Sequence, residues 1–130
     1  MNGNEIGFLV DTNIIIYLSQ GRLKISSFAK NESSLYLSSI TYIESLGYSF
    51  SSKKEEDEIS GLCDVFERLF LTKEVEKQTI LIRKSKKIKL PDAVIAATAI
   101  VYNLTLVTCN VDDFKNIPKL KILNPFNHNH

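Results

Sequence analysis

Acidic side chains stand at several points of this chain where an apolar segment begins or ends. Asp11 follows an apolar run, Asp92 opens a segment of small apolar residues, and Asp112 and Asp113 come just after another apolar run. Carboxylates are the oxygen ligands that bind Mg²⁺ and Mn²⁺ in proteins. Acids in such equivalent places suggest a metal site, provided that the fold brings them together.

The first of these acids is predicted to end a buried strand. The apolar run 6–10 is typical of a strand covered on both faces, and Asp11, Thr12 and Asn13 then offer capping side chains to a helix at 14–18. This order places Asp11 at the carboxyl end of a parallel strand, where open α/β sheets have their ligand crevices. Taken alone, helix capping explains Asp11 equally well.

Two further acids are predicted to lie in helices. Pro91 and Asp92 suit a first helical turn, because Pro needs no N–H there and the helix dipole favours an acid. Glu44 follows Ser39, which we expect to cap a helix, and it has apolar neighbours at nearly every helical offset. A mid-helix Glu is ordinarily a surface residue, but these neighbours predict a buried acid that needs a metal or a base nearby.

The rest of the chain alternates between strand and helix patterns. Strands are predicted at 6–10, 35–38, 104–108 and 120–123, with a short one at 70–71. Helices are predicted at 14–18, 22–30, 40–50, 51–69, 75–86 and 90–101. This alternation predicts an α/β fold with three layers, α/β/α, around a mostly parallel central sheet whose strands have their carboxyl ends at one edge.

Length and composition bound the kind of protein. The 130 residues suit one domain, predicted at 1–126 with a polar tail at 127–130. The net charge of +1 gives no global argument for a polyanionic partner. Two cysteines are too few for a disulfide framework or a zinc site. No apolar run approaches the ~20 residues of a membrane span and the first residues do not resemble a signal peptide, so we expect a cytoplasmic protein without a membrane partner.

A cluster of cations lies just before Asp92, formed by Arg83, Lys84, Lys86, Lys87 and Lys89. Cations at a helix end are stabilised by the dipole and need no further role. The functional alternative is a strip that contacts the phosphates of a nucleic acid beside the acid.

An apolar stripe at helical spacing is the candidate for a partner surface. It contains Ile59, Phe66 and Leu69, and we expect Tyr42 and Tyr48 to extend it. A stripe of this kind is either core or interface.

The ordered set of these segments resembles the PIN domain, and more closely the VapC-type toxins of bacterial toxin–antitoxin pairs. The resemblance is carried by Asp11-Thr12-Asn13, Ser39-Ile40-Thr41 leading to Glu44, Leu90-Pro91-Asp92 with Ile95-Ala96-Ala97-Thr98-Ala99, and Thr108-Cys109-Asn110 with Asp113-Phe114. It implies a PIN-like fold and a Mg²⁺- or Mn²⁺-dependent endoribonuclease that cuts RNA. It also implies a small cognate antitoxin as partner and, usually, a homodimer.

The resemblance also implies roles for single residues. Asp11, Glu44 and Asp92 match the first three acids of the family, and Asp113 is the choice for the fourth, with Asp112 as the alternative. These acids would hold one or two metal ions and carry the catalysis, in which a metal-activated water attacks phosphorus.

Polar residues beside the acids match supporting positions of the family, namely Thr12, Asn13 and Thr108. Asn110 matches a position that could hold a metal-bound water or the substrate phosphate. Cys109 stands where many relatives have Arg, so a cation for the RNA backbone is missing there. The cluster at 83–89 is predicted to supply part of the positive field instead.

Two other classes of protein remain as alternatives. A catalytically silent PIN-like module would keep the fold only to bind a partner, although the presence of all four acids argues against it. A receiver-like phospho-acceptor also gathers acids and Mg²⁺ at a sheet edge, but it usually has an adjacent acid pair after the first strand. Asp11 stands alone there.

Overall fold

Five short strands form the central sheet of the computed structural model, which describes residues 7–31, 33–47 and 49–126. The strands are β1 (Gly7–Val10), β2 (Ser34–Ser38), β3 (Glu67–Leu69), β4 (Thr105–Val107) and β5 (Lys121–Leu123). Their order across the sheet is β3-β2-β1-β4-β5, and every neighbouring pair is parallel. The prediction of an α/β fold around a parallel sheet is confirmed.

Helices connect the strands. They are α1 (Thr12–Ser19), α2 (Ser39–Leu46), α3 (Lys53–Cys63), α4 (Lys73–Ser85), α5 (Leu90–Val101) and α6 (Val111–Phe114). Side-chain oxygens of Asp11, Ser38, Ser52 and Thr72 accept a backbone N–H at the starts of α1 to α4. These caps explain where the four helices begin, because the first N–H groups of a helix otherwise lack a partner.

The two faces of the sheet carry separate apolar cores. In β1, Phe8 and Val10 pack with α1 and α3, whereas Leu9 packs with α4 and α5. Neighbouring residues of a strand point to opposite faces, so a strand that is apolar at every position must be covered on both sides. Helix α5 is buried along 93–99. This is the predicted three-layer arrangement.

The register of the sheet brings three strand ends together. Val10 of β1 pairs with Val107 of β4, and the Asp11 N–H donates to the Val107 carbonyl at 3.2 Å. On the other side of β1, Leu9 pairs with Tyr36 of β2. Because β1 lies between β2 and β4, the residues that follow these three strands share one edge of the sheet.

The helix predicted at 22–30 is wrong. Only a single 3-10 turn, Ile25–Ser27, forms there. Leu23 and Phe28 are both buried in the core although they are five positions apart, a spacing that an α-helix would place on different sides. Anchoring both side chains therefore requires an irregular backbone.

The predicted helix at 51–69 is too long, and the strand predicted at 70–71 is displaced. Helix α3 ends at Cys63, and the neighbouring strand is β3, Glu67–Leu69. The apolar spacing continues past the end of the helix because Phe66, in the turn that follows, still points into the core at 5% exposure.

The predicted partner surface is therefore also wrong. Ile59 and Phe66 are core residues at 2% and 5% exposure, and Leu69 is partly buried in the sheet. Tyr42 is partly buried and lies under the Arg68 guanidinium, while Tyr48 falls outside the described residues.

Helix α2 differs from its prediction in its cap, its end and its buried face. Its cap is Ser38 rather than Ser39, and it ends at Leu46. Thr41 and Ser45 face the interior, and Glu44 is exposed. The prediction of a buried Glu44 is wrong because small hydroxyl residues, rather than the large apolar ones, fit against the neighbouring elements.

Other predictions concern the cysteines, the membrane and the chain ends. Both cysteines are free thiols, Cys63 buried and Cys109 partly buried. None of the helices in the described ranges has the length and apolar composition of a membrane span. The polar tail at 127–130 and the start of the chain at 1–6 lie outside the described residues.

Candidate active site

Asp11 is fixed at the carboxyl end of β1 by hydrogen bonds to both of its carboxylate oxygens. Oδ1 accepts the N–H of Ile14 at 3.1 Å, which caps α1. Oδ2 accepts the hydroxyl hydrogen of Thr108, the residue that follows β4. Asp11 is 5% exposed, so these two donors replace most of the water that a carboxylate would otherwise bind.

The direction of the Thr108 hydrogen bond is set by its other neighbour. The Asn110 N–H donates to the Thr108 hydroxyl oxygen at 3.0 Å. A backbone N–H can only donate, so the single hydroxyl hydrogen remains for Asp11. Thr108 therefore supports the charged form of Asp11.

Burial nevertheless has the largest effect on the pKa of Asp11. Loss of water raises its pKa to about 6, and the nearby Asp92 charge adds to the increase. The hydrogen bonds from Thr108 and Ile14 act in the opposite direction, because they stabilise the carboxylate. The ionised form of Asp11 is therefore destabilised by burial, and a nearby cation would stabilise it.

Asp92 lies in the first turn of α5, two residues after its first position, and is partly buried. Desolvation raises its pKa, and the charges of Asp113 and Glu44 raise it further. The Lys89 ammonium lowers it. The charges of two acids on other elements, Asp113 and Glu44, therefore act on Asp92.

Glu44 is oriented by a contact between two helices. The Thr12 hydroxyl, at the start of α1, donates to Glu44 Oε1 at 2.6 Å. Glu44 is exposed on α2, so this bond is what ties its carboxylate to the carboxyl end of β1.

All four acids line one cavity of about 350 Å³, which we call the acid cavity. Its lining residues are Asp11, Thr12, Asn13, Glu44, Lys89, Pro91, Asp92, Ile95, Asn110 and Asp113. The four acids come from four separate places in the chain and meet at the edge where β1, β2 and β4 end. No ion pair within the described ranges involves any of them.

The structure places Asp113 and Asp112 differently, although both lie on α6. Asp113 lines the acid cavity and acts on the pKa of Asp92. Asp112 does not line that cavity, and its carboxylate pairs with the Lys115 ammonium at 3.4 Å.

A second cavity, of about 670 Å³, adjoins the first and is called the basic cavity here. It is lined by Arg83, Lys86, Lys87, Ile88, Lys89, Asp92, Asp112 and Asp113. Lys89, Asp92 and Asp113 line both cavities, so the two lie side by side. Of the five predicted cations, Lys84 lines neither.

Two features of the site were absent from the sequence prediction. One is α6 itself, a four-residue helix that carries Asp112 and Asp113. The other is the contact that Lys86 makes: its ammonium, predicted to contact phosphate, donates to the carbonyl oxygens of Asp113 at 3.2 Å and Lys115 at 3.0 Å. No sequence signal pairs Lys86 with a segment 27 residues away.

The oxygen atoms of the acid cavity suit a divalent cation that keeps part of its water shell. In the described ranges, no three His, Cys, Asp or Glu side chains are grouped closely enough to enclose a metal ion as they stand. Mg²⁺ does not require such a cage, because it keeps several waters and takes one or two carboxylates directly. Four carboxylates that form no close ion pair within the described ranges fit this mode of binding.

Comparisons with known proteins agree with this geometry. A family model described as the PIN domain matches residues 8–120. A ribonuclease VapC from Rickettsia bellii is 33% identical, over 91% of this chain and 96% of that protein.

Solved structures show the same fold. VapBC from Salmonella typhimurium bound to DNA has a TM-score of 0.81 at 25% identity, covering 92% of this chain and 98% of that one. VapBC2 from Rickettsia felis, bound to a fragment of its promoter, has a TM-score of 0.79 at 25% identity with the same coverage. The chain therefore belongs to the PIN-domain family and, within it, to the VapC group.

Proposed function

We propose that this chain is a metal-dependent endoribonuclease that hydrolyses RNA phosphodiester bonds as the toxin of a toxin–antitoxin pair. The observation that carries the proposal is the meeting of Asp11, Glu44, Asp92 and Asp113 around one cavity. The relatives named ribonuclease VapC support the reaction. The solved VapBC complexes support the toxin role.

The cofactor that suits this cavity is Mg²⁺ or Mn²⁺. All four acids offer oxygen ligands, and no His or Cys of the described part of the chain lines the cavity, which disfavours zinc. Asp11, Asp92, Asp113 and Glu44 would hold the ion or ions, either directly or through water. When bound, such a metal lowers the pKa of a coordinated water and neutralises charge on the phosphoryl oxygens.

The residues of this chain prepare the cavity for that chemistry. Thr108 keeps a hydrogen bond on Asp11 that favours its ionised form, and Thr12 holds Glu44 toward the strand ends. Asn110 lines the cavity with an exposed side chain, which suits contact with a water or a phosphate oxygen. Asn13 lines the cavity beside Thr12 and offers the same kind of contact.

The basic cavity is the proposed path of the RNA backbone to the acids. Arg83, Lys87 and Lys89 line it, and Lys89 also reaches the acid cavity. Cations there offset the repulsion between the carboxylates and phosphate, which a near-neutral chain cannot do through its net charge. Lys84, at the same helix end, could act only at longer range.

The proposed partners are RNA, a cognate antitoxin and a second copy of the chain. The solved relatives are described as VapBC complexes and as a toxin–antitoxin complex. A toxin that cuts cellular RNA would act in the cytoplasm, as we expect from the sequence.

The test is cleavage of a mixed pool of structured RNAs with Mg²⁺, with Mn²⁺ and with EDTA. Asp92→Asn is the key variant, and Asp57→Asn is its control because Asp57 is an exposed residue of α3 in a surface ion pair. Cleavage by the wild type and the control, absent in EDTA and in Asp92→Asn, is expected. Equal cleavage by Asp92→Asn would reject the proposal, and binding of an antitoxin without cleavage would favour a silent binding module.

A further inference from the structure

We propose that Lys86 is a positioning residue that anchors α6 and thereby fixes Asp113, rather than a contact for substrate phosphate. The role given to Asp113 rests on the proposed function. The anchor itself is a contact within the folded chain and does not depend on that function.

The first observation is the pair of bonds that the Lys86 ammonium donates. Its Nζ lies 3.2 Å from the Asp113 carbonyl oxygen and 3.0 Å from the Lys115 carbonyl oxygen. Carbonyl groups at the end of a helix lack partners within the helix, and a cation there is favoured by the dipole. Lys86 therefore closes the carboxyl end of α6 with a charge-assisted contact.

The second observation is that α6 cannot hold its own position. It has four residues, fewer than a helix needs to be stable by itself. The Asp113 carboxylate projects from an exposed residue, whereas Phe114 beside it is buried at 1% exposure. The Phe114 ring packs α6 against the core, and Lys86 binds carbonyl oxygens at its carboxyl end.

The third observation is that Lys86 is attached to a rigid support. It follows α4 directly, and its own N–H donates to the Ile82 carbonyl at 3.0 Å. Ile82 belongs to the same buried core as Phe114. The Lys86 side chain thus links the end of α4 to the end of α6, two elements that share a core.

These contacts separate Lys86 from the other cations of the basic cavity. Two of the three ammonium hydrogens are already used by carbonyl oxygens. Arg83, Lys87 and Lys89 have no such bonds to α6 within the described ranges, so their charges are available to a phosphate.

The first experiment is hydrogen–deuterium exchange of residues 111–116 in metal-free protein without RNA. Lys86→Met should speed exchange of this segment roughly fivefold, and Lys86→Arg should restore most of the protection. Lys84→Met is the matched control, because Lys84 lies at the same helix end but lines neither cavity. Unchanged exchange in Lys86→Met, or an equal change in Lys84→Met, would overturn the anchor.

The second experiment measures whether the contact between Lys86 and α6 affects metal binding by the acids. Calorimetric titration of the same metal-free variants with Mn²⁺ should show roughly tenfold weaker binding for Lys86→Met and no change for Lys84→Met. Loss of protection on α6 without any loss of Mn²⁺ affinity would overturn the link to Asp113.

The third experiment separates positioning from phosphate contact. In an Asp92→Asn background, binding of a short fluorescein-labelled RNA is measured at several salt concentrations. Lys87→Met should lower the salt slope by about one, and Lys86→Met should leave it unchanged. A lowered slope in Lys86→Met would assign Lys86 to phosphate and overturn the proposal. A wild type without nuclease activity would defeat the proposed function and still leave the exchange result to decide the anchor.

Discussion

The Thr108 hydroxyl joins the end of β4 to the end of β1 by donating its hydrogen to Asp11 Oδ2. Its oxygen accepts a hydrogen bond from the Asn110 N–H, so the hydroxyl connects the residue before α6 to Asp11. These two hydrogen bonds hold the buried Asp11 carboxylate in one orientation and offset part of the free-energy cost of its burial.

Thr108→Val removes both hydrogen bonds of the hydroxyl and keeps the side-chain volume nearly constant. The Asn110 N–H and Asp11 Oδ2 both lose a partner, so the free energy of unfolding should fall by about 1–3 kcal/mol. Loss of the hydrogen bond should also raise the pKa of Asp11 further, which moves the acid limit of RNA cleavage to higher pH. Urea unfolding and a pH profile of cleavage measure the two effects. Thr108→Ser retains the hydroxyl and should behave like the wild type in both.

Asp11 should make the stability of the metal-free protein depend on pH. Its pKa is about 6 in the folded chain against an ordinary 3.8, so the folded state binds more protons than the unfolded state between these values. The contribution of Asp11 is fully present below about pH 4 and is lost as pH rises through about 6. The difference between the two pKa values corresponds to roughly 3 kcal/mol.

The measurement is urea unfolding of the wild type and Asp11→Asn in EDTA, between about pH 4 and about pH 8. The wild type should lose roughly 3 kcal/mol relative to the variant as pH rises. A difference between the two proteins that stays constant over this range would contradict the raised pKa.

Asp113, and not Asp112, should be the fourth acid needed for metal-dependent RNA cleavage. Asp113 lines the acid cavity, whereas Asp112 pairs with Lys115 outside it. Asp113→Asn should reduce metal-dependent RNA cleavage about a hundredfold, and Asp112→Asn should change it by less than about threefold. Initial rates at saturating Mn²⁺ measure both. The reverse ranking would assign the role to Asp112.

Thr12 should matter through Glu44. Thr12→Val removes the 2.6 Å hydrogen bond to Glu44 Oε1 and leaves that exposed carboxylate free to turn away. Cleavage should fall roughly tenfold. The free energy of unfolding should change by less than about 1 kcal/mol, because the bond is solvent-exposed. Thr12→Ser is the control that keeps the bond, and a Val variant as active as the Ser variant would show that Glu44 needs no orientation.

Local signals made the main acids predictable from the sequence. A continuous apolar strand followed by capping residues placed Asp11 at a strand end, and Pro91 beside Asp92 marked a first helical turn. These positions follow from backbone chemistry within a few residues, and the fold then brought the two acids to the same edge of the parallel sheet.

Other parts of the site depend on contacts between distant segments. The prediction of a buried Glu44 failed because Thr41 and Ser45 form the buried face of α2, and this face depends on how α2 packs against the rest of the fold. The anchoring of α6 by Lys86 joins segments 27 residues apart. The segment around Ile25–Ser27 is irregular because it places two side chains, Leu23 and Phe28, in the core, which a regular helix would not do. No local pattern carries such information.

The most direct test of the proposed metal centre is calorimetric titration of the metal-free chain with Mn²⁺ at neutral pH, without RNA. Wild type and Asp57→Asn should bind Mn²⁺ with equal affinity, and Asp11→Asn and Asp92→Asn should bind it at least about tenfold more weakly. In a repeat near pH 6, where Asp11 is about half protonated, binding should also release protons. Equal Mn²⁺ affinity in all four proteins would contradict a metal centre formed by these acids.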